Sequence, residues 1–157
     1  MTCQAVRQHS FFCMKDKSMI TSSRNASGRL PKIHLDKSLV GRLETLASAM
    51  MRRSPEVGTR LMDEIARAKL VAPEKLRDDI VTIGSEVTYR DLSTARLQTV
   101  IVVYPEDADI DQHRISVLTP IGVALLGLSA GATMSWITRD DETRQLEVVA
   151  VKRHAPQ

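Results

Sequence analysis

The chain has 157 residues, which is enough for one domain and an appendage. Its net charge of +3 is uneven, because residues 1–32 carry +5 and the remainder therefore carries −2. A slightly acidic body lacks the phosphate-neutralising surface of a nucleic-acid-binding domain, so direct sequence-specific binding to nucleic acid is not expected. Aromatic residues make up 3% of the chain against 43% for all hydrophobic residues, which predicts an aliphatic core.

The first 31 residues show no hydrophobic periodicity and are predicted to form a disordered basic tail. They lack the layout of a signal peptide, and no apolar run in the chain approaches the ~18 residues of a membrane span. A cytoplasmic location is therefore expected. Cys3, His9 and Cys13 lack a fourth ligand and a folded setting, so the cysteines are interpreted as free thiols. No cofactor or metal is expected.

Residues 33–71 are predicted to form an antiparallel helical hairpin. Asp36 is a suitable N-cap for a first helix, and Ser54-Pro55-Glu56 provides a cap, an N1 proline and a first-turn acid for a second. Apolar residues recur every three or four positions in both segments, at Leu39, Leu43, Leu46, Met50, Val57, Leu61, Ile65 and Ala68. This periodicity alone favours a helical subdomain folded onto a sheet, with a projecting coiled coil as the alternative.

Residues 80–153 are predicted to form an antiparallel sheet with one short helix, which makes the fold class α+β. The predicted strands are Ser85–Asp91, Leu97–Tyr104, Arg114–Leu118, Thr133–Thr138 and Arg144–Val151. The helix lies between the third and fourth strands. Thr119 is its expected N-cap, Pro120 its first residue, and Gly127 or Gly131 its left-handed end.

An acidic cluster is the best candidate site in the sheet region. Its members are Glu106, Asp107, Asp109 and Asp111. Four close carboxylates repel one another unless water or cations surround them, so the cluster is either a solvated loop or a rim for a basic protein surface. A Ca²⁺ loop is disfavoured because the required glycine and distal glutamate are absent. His113 is interpreted as a surface turn residue, and no phosphate-binding loop supports a kinase activity.

Three motifs together resemble a known family. Residues 115–131 match the pattern I-S-x-x-[ST/A]-P-x-G-x-A-L-x-G-x-x-x-G shared by the Rnk family (regulators of nucleoside diphosphate kinase) and the C-terminal domain of the Gre transcript-cleavage factors. The next residue, Ala132, departs from the aspartate that the family usually has. The segments Asp79–Leu92 and Val102–Asp109 resemble Rnk in particular. The resemblance implies an FKBP-like fold for residues 80–153 and favours a projecting coiled coil for the hairpin.

The resemblance also implies a partner, RNA polymerase, and a docking side beside its secondary channel. The residues predicted to make this contact are Glu106, Asp107, Asp109, Ser116, Pro120, Ile121 and Gly122. Gre factors carry two acids at the tip of a long hairpin, and these acids help to hold a metal ion in the polymerase active site. The tip of this chain offers one acid, Glu56, with two cations, Arg52 and Arg53.

The prediction is therefore a monomeric transcription regulator that acts by occupancy, in competition with Gre-type factors, without an active site of its own. One alternative is a Gre-like cleavage factor, which the tip composition disfavours. Another is a peptidyl-prolyl isomerase on the FKBP-like fold. Such a pocket normally has aromatic walls, whereas residues 33–157 contain only Tyr89, Tyr104 and Trp136.

Overall fold

A computed structural model describes residues 30–154, so the predicted tail lies almost wholly outside the described residues. The elements, in chain order, are β1 His34–Asp36, α1 Val40–Met50, α2 Pro55–Arg67, β2 Lys69–Val71, β3 Glu86–Asp91, β4 Leu97–Val103, β5 Arg114–Ser116, α3 Pro120–Leu125, β6 Thr133–Ile137 and β7 Thr143–Lys152. The predicted mixture of helix and sheet is confirmed. Between residues 30 and 154, no helix combines the length and the apolar character that crossing a bilayer would require.

The main sheet has five strands in the order β5-β4-β3-β7-β6. Three of its pairings are antiparallel, but β5 runs parallel to β4, so the prediction of a wholly antiparallel sheet is wrong at this edge. The reason is the connection, since residues 104–113 carry the chain back along β4, so that β5 begins beside Ile101 and runs in the same direction as β4. A separate parallel pair, β1 with β2, was not predicted.

The two helices pack closely at the turn that joins them. A Cβ atom on Gly58 would lie 2.7 Å from the backbone nitrogen of Met51 and 2.9 Å from the carbonyl oxygen of Ala47, so only glycine permits this approach. Leu43 and Leu61, one from each helix, are fully buried in the same apolar cluster as the sheet residues. The helix pair therefore packs onto the sheet, as periodicity alone favoured. Core residues come from both predicted segments, 33–71 and 80–153.

The start of α1 differs from its prediction. Helix α1 begins at Val40, and Asp36 instead ends β1, where it pairs with Val71. The Asp36 carboxylate accepts a hydrogen bond from the backbone N–H of Ser38 at 2.8 Å, and its carbonyl accepts from Leu39 at 3.1 Å. Asp36 thus closes a turn between strand and helix and does not cap the helix, because pairing with Val71 holds its backbone in the strand.

Helix α3 begins and ends as predicted. Thr119 Oγ1 accepts a hydrogen bond from the N–H of Gly122 at 3.1 Å, which confirms the cap. Gly127 follows the helix with φ +78°, in the left-handed region that glycine adopts without strain. Its N–H donates to Val81 at 2.9 Å, and its carbonyl accepts from His34 at 2.9 Å. The end of α3 therefore links the segment before β3 to β1.

We expect Leu125→Ala to lower the free energy of unfolding by about 2–5 kcal/mol, through lost transfer energy and the cavity left behind. Leu125 is fully buried among the residues of the shared core. Leu97→Ala is the matched control, because Leu97 is 56% exposed and should cost well under 1 kcal/mol. Urea denaturation of both variants measures the difference. Equal costs would show that α3 does not fill the core.

Candidate functional site

The acidic loop, residues 105–113, is a structured turn. Its first part is a short 3₁₀ turn, Pro105–Asp107. Asp109 and Arg114 then exchange two backbone hydrogen bonds, of 2.9 and 2.7 Å, and the Asp109 carboxylate accepts from the N–H of Asp111 at 3.0 Å. His113 takes a left-handed backbone with φ 55° to bring the chain into β5. Asp107 and Asp111 are exposed to solvent, and Asp109 is half-buried. The hydrogen bonds of the loop thus fix the backbone that carries these carboxylates.

Arg42 of α1 holds one side of this loop, a contact that sequence reasoning missed. Its guanidinium lies 3.7 Å from the centroid of the Tyr104 ring and forms an ion pair with Glu106. Burial raises the pKa of the Tyr104 phenol, while the charge of Arg42 opposes that shift. No local signal could have revealed the contact, because Arg42 lies 64 residues before Glu106. Glu106 is thus partly neutralised, and it contributes less free negative charge than predicted.

Asp107 faces a cavity of mixed charge. This cavity, of about 730 Å³, lies between the β1–α1 turn, the acidic loop and the end of β7. Asp36 and Asp107 line it together with three basic side chains, Arg114, Arg153 and His154. The face beside the acidic loop is therefore not uniformly negative.

The residues predicted at the start of α3 have different surroundings. The hydroxyl of Ser116 accepts from the N–H of Leu118 at 3.0 Å, and its carbonyl accepts from Thr119. This turn ends β5 two residues earlier than predicted. Gly122 is buried against Val117, which makes it a packing residue, whereas Pro120 and Ile121 are partly exposed. Contact of these residues with a partner stays a prediction.

A groove, here called the tip groove, lies between the first two turns of α2, the start of α3 and the turn from β6 to β7. Its volume is about 730 Å³. The apolar residues that line it are Pro55, Val57, Pro120, Val123 and Ile137, and the charged ones are Glu56, Arg60, Asp63, Arg139 and Asp141. Among residues 30–154, no aromatic side chain lines this groove, so this part of the chain supplies none of the walls expected of a prolyl isomerase pocket. Pro120 faces this groove, whereas Asp107 lines the other cavity.

The predicted tip residues lie at the turn between α1 and α2. Arg52 and Arg53 are exposed in that turn, and Glu56 is exposed in the first turn of α2. Within residues 30–154, none of the three forms an ion pair. The same part of the chain holds no group of three His, Cys, Asp or Glu side chains placed to bind a metal ion.

Comparison with known proteins agrees with the motifs. Residues 31–71 match the family described as Rnk N-terminus, and residues 76–153 match the C-terminal family of the transcription elongation factors GreA and GreB. A solved GreA/GreB elongation factor from Nitrosomonas europaea is 34% identical, with a TM-score of 0.62 over 78% of this chain and 98% of that one. This chain belongs to the Rnk family, whose C-terminal domain is related to that of the Gre factors.

Two curated relatives show the same double relationship. The regulator of nucleoside diphosphate kinase from Escherichia coli K12 is 34% identical over 89 residues, which is 57% of this chain and 65% of that protein. The elongation factor GreA from Rickettsia canadensis is 37% identical over 95 residues, 60% of this chain and 58% of that protein. The match thus spans slightly less than two thirds of the curated relatives. Their names describe a regulator and an elongation factor, and the fold of this family member is GreA/GreB-like.

We expect the Arg42–Glu106 pair to contribute less than about 1 kcal/mol to stability, because both side chains are about half exposed and water screens the pair. A double-mutant cycle with Arg42→Gln and Glu106→Gln, followed by urea denaturation, measures this coupling. Stacking of Arg42 on Tyr104 is shared by the wild-type protein and Glu106→Gln, so it cancels in the cycle. A coupling above about 2 kcal/mol would mean that the acidic loop is buried against α1.

Proposed function

We propose that this protein binds RNA polymerase near its secondary channel and regulates transcription by occupying that position, in competition with Gre-type factors. The observation that carries the proposal is the match of residues 76–153 to the GreA/GreB C-terminal family, together with the GreA/GreB-like fold. In this proposal the protein binds and blocks, and it catalyses no reaction. It acts as a monomer, without recognising a nucleic-acid sequence.

The finer description of the fold belongs to the same proposal. We take residues 33–71 as a short counterpart of the Gre coiled-coil hairpin and residues 80–153 as an FKBP-like domain. The five-stranded sheet with its one short helix supports the second assignment, and the close backbone approach at Gly58 supports the first. The packing of Leu43 and Leu61 into the shared core makes the hairpin a compact one.

The proposed docking side combines charge with exposed apolar surface. Asp107 and Asp109 form no side-chain ion pair within residues 30–154, so their charge is available to a basic partner. Pro120 and Ile121 are partly exposed, and in chain order Ser116 lies between the loop and these two residues. Glu106 already forms an ion pair with Arg42, so it can contact a partner only if that ion pair breaks.

The shape and charge of the tip favour occupancy over cleavage. Helices α1 and α2 have 11 and 13 residues, which corresponds to about 16 and 20 Å. Glu56 is the acid nearest the turn, and Arg52 and Arg53 precede it. The next acid on the same helix, Asp63, lies seven residues further on, roughly 10 Å away. A single carboxylate beside two cations is a poor ligand set for Mg²⁺, which takes hard oxygen ligands.

We expect Asp107→Lys with Asp109→Lys to weaken binding to RNA polymerase on the order of tenfold at low salt, chiefly through a slower association rate. The reason is that the reversed charges would repel a basic docking surface. Glu44→Lys with Glu74→Lys is the matched control, because it makes the same charge change at two exposed acids outside the loop. Interferometry at several salt concentrations measures both pairs. Equal loss in the two pairs would place the docking surface elsewhere.

We expect the purified protein to leave backtracked polymerase uncleaved and to reduce the cleavage that a Gre factor stimulates. The first result follows because two-metal phosphodiester chemistry needs both ions held by carboxylates, and the tip supplies one. The second follows from competition for one docking surface. Gel analysis of labelled transcripts measures both effects. Efficient cleavage by this protein alone would overturn the occupancy proposal in favour of the cleavage factor.

Variants of the tip extend this test. Arg52→Glu with Arg53→Glu should lower the occupancy, because added negative charge opposes entry into a channel that binds metal through carboxylates. Lys37→Glu with Lys69→Glu is the control for the same charge change away from the tip, since both lysines are exposed near the other end of the helix pair. If both pairs compete equally well with a Gre factor, the tip does not enter the channel.

A further inference from the structure

Strand β6 is one edge of the five-stranded sheet, so the backbone groups on its outer side face no neighbouring strand. On its inner side it pairs with β7, in a register that sets Met134 against Leu146. The N–H of Val148 donates to the carbonyl of Ala132, and the N–H of Thr138 donates to the carbonyl of Glu142, just beyond either end of the strand. Because hydrogen-bonded pairs alternate in an antiparallel ladder, the even-numbered residues of β6 bond to β7. The backbone groups of Thr133, Ser135 and Ile137 therefore point outward.

One side chain partly covers this outer edge. Arg60 of α2 donates a hydrogen bond to the carbonyl of Ser135 at 2.7 Å. Within the described part of the chain, the N–H of Ser135 and both backbone groups of Ile137 have no backbone partner on that side. Soluble proteins usually protect such an edge with charged residues or proline, and β6 contains neither. Ile137 is also 47% exposed. The Ile137 end of β6 is thus open to another strand.

The tip groove lies directly beside this open end. Ile137 and Thr138 form one wall, α2 forms the other, and Val57, Pro120 and Val123 supply apolar surface. A volume of about 730 Å³ is within the usual range for ligand-binding clefts. The groove therefore offers unpaired backbone groups and an apolar lining at one place, which are the two components of strand addition to a sheet edge.

The charged side chains that line the groove indicate which kind of strand it would bind. Glu56 and Asp63 lie seven residues apart, on one face of α2, and neither forms an ion pair within residues 30–154. Asp141 adds a third carboxylate from the turn after β6. Two cations, Arg60 and Arg139, also line the groove, and Arg60 keeps its charge while it donates to the neutral carbonyl of Ser135. Three carboxylates against two cations leave the lining with a small net negative charge.

We propose that the tip groove binds an extended segment of a protein partner, which adds as a sixth strand along β6 and carries apolar residues alternating with lysine or arginine. Its backbone pairs with Ser135 and Ile137, its apolar side chains cover Val57 and Pro120, and its cations meet Glu56 and Asp63. Arg60 limits the added strand to the Ile137 end. This site does not include the acidic loop, but it shares Pro120 with the proposed polymerase-docking side, so the two interactions overlap at that residue.

The probe for this proposal is a hexapeptide of alternating valine and lysine, acetylated and amidated at its ends. It is titrated into the full chain and followed by ¹⁵N–¹H NMR. We expect saturable shifts at the amides of Ser135 and Ile137, and slower hydrogen exchange at both. A second peptide, N-methylated on every backbone nitrogen, keeps the side chains but has no N–H to donate to a sheet edge, so it should not bind. Equal binding of the two peptides, or shifts confined to other strands, would overturn the proposal.

Substitutions at one position separate backbone pairing from side-chain contact. Ile137→Pro removes an N–H that points away from β7, so the β6–β7 ladder stays intact, while Ile137→Val keeps that N–H. We expect the proline variant to bind the peptide about tenfold more weakly, and the valine variant to bind normally. Unchanged binding by Ile137→Pro would overturn strand addition. If that variant unfolds, comparing the binding of the two peptides to the unmodified protein still tests backbone pairing.

Charge selectivity and self-association complete the experiment. A peptide with glutamate in place of lysine should bind at least several-fold more weakly, and Glu56→Gln with Asp63→Asn should remove that difference. Equal binding of the acidic and basic peptides by the unmodified protein would overturn the assigned partner chemistry. Light scattering without peptide tests whether a second copy fills the edge instead. A dimer that Ile137→Pro dissociates would replace the proposed partner with this chain itself.

Discussion

The hydrogen bonds around Gly127 hold the two parts of this structure together. Gly127 bonds to Val81 through its N–H and to His34 through its carbonyl, and the N–H of Val81 donates to Leu128 at 2.8 Å. A Cβ atom at Gly127 would lie 3.0 Å from the carbonyl oxygen of His34, so any other residue would crowd this junction as well as strain its backbone. Since His34 begins β1, and β1 pairs with β2, both ends of the helix pair are attached at this point to the end of α3 and to the segment before β3.

This attachment determines where the helices lie and so creates the surfaces discussed above. With both ends held, the apolar faces of α1 and α2 pack into the core that Leu125 and Val87 also fill. Arg42 then reaches the acidic loop from α1, and Arg60 reaches the open edge of the sheet from α2. The tip groove exists because α2 runs beside β6 without covering its last residues. Neither surface is a property of the sheet or of the helix pair alone.

The two surfaces differ in their chemistry, which supports separate roles. The acidic loop is an exposed turn with cations nearby, and its proposed contribution to docking is electrostatic, hence sensitive to salt. The tip groove combines apolar surface with unpaired backbone groups, and binding there depends on the geometry of a strand.

Local patterns in the sequence were sufficient for most elements of this fold, but not for β1 and β2 and not for how the elements are arranged. The cap and first residue of α3 at Thr119 and Pro120, its end at Gly127, and the strands from β3 to β7 all follow from signals within a few residues, and so does the family relationship. Asp36 shows the limit of such signals, since a suitable cap residue was held in β1 by pairing with Val71. The parallel pairing of β5 with β4, the contact of Arg42 with Glu106 and the position of Arg60 at the sheet edge were decided by the tertiary structure. These contacts join residues far apart in the chain. A sequence pattern that spans a few positions carries no information about which distant segments come into contact.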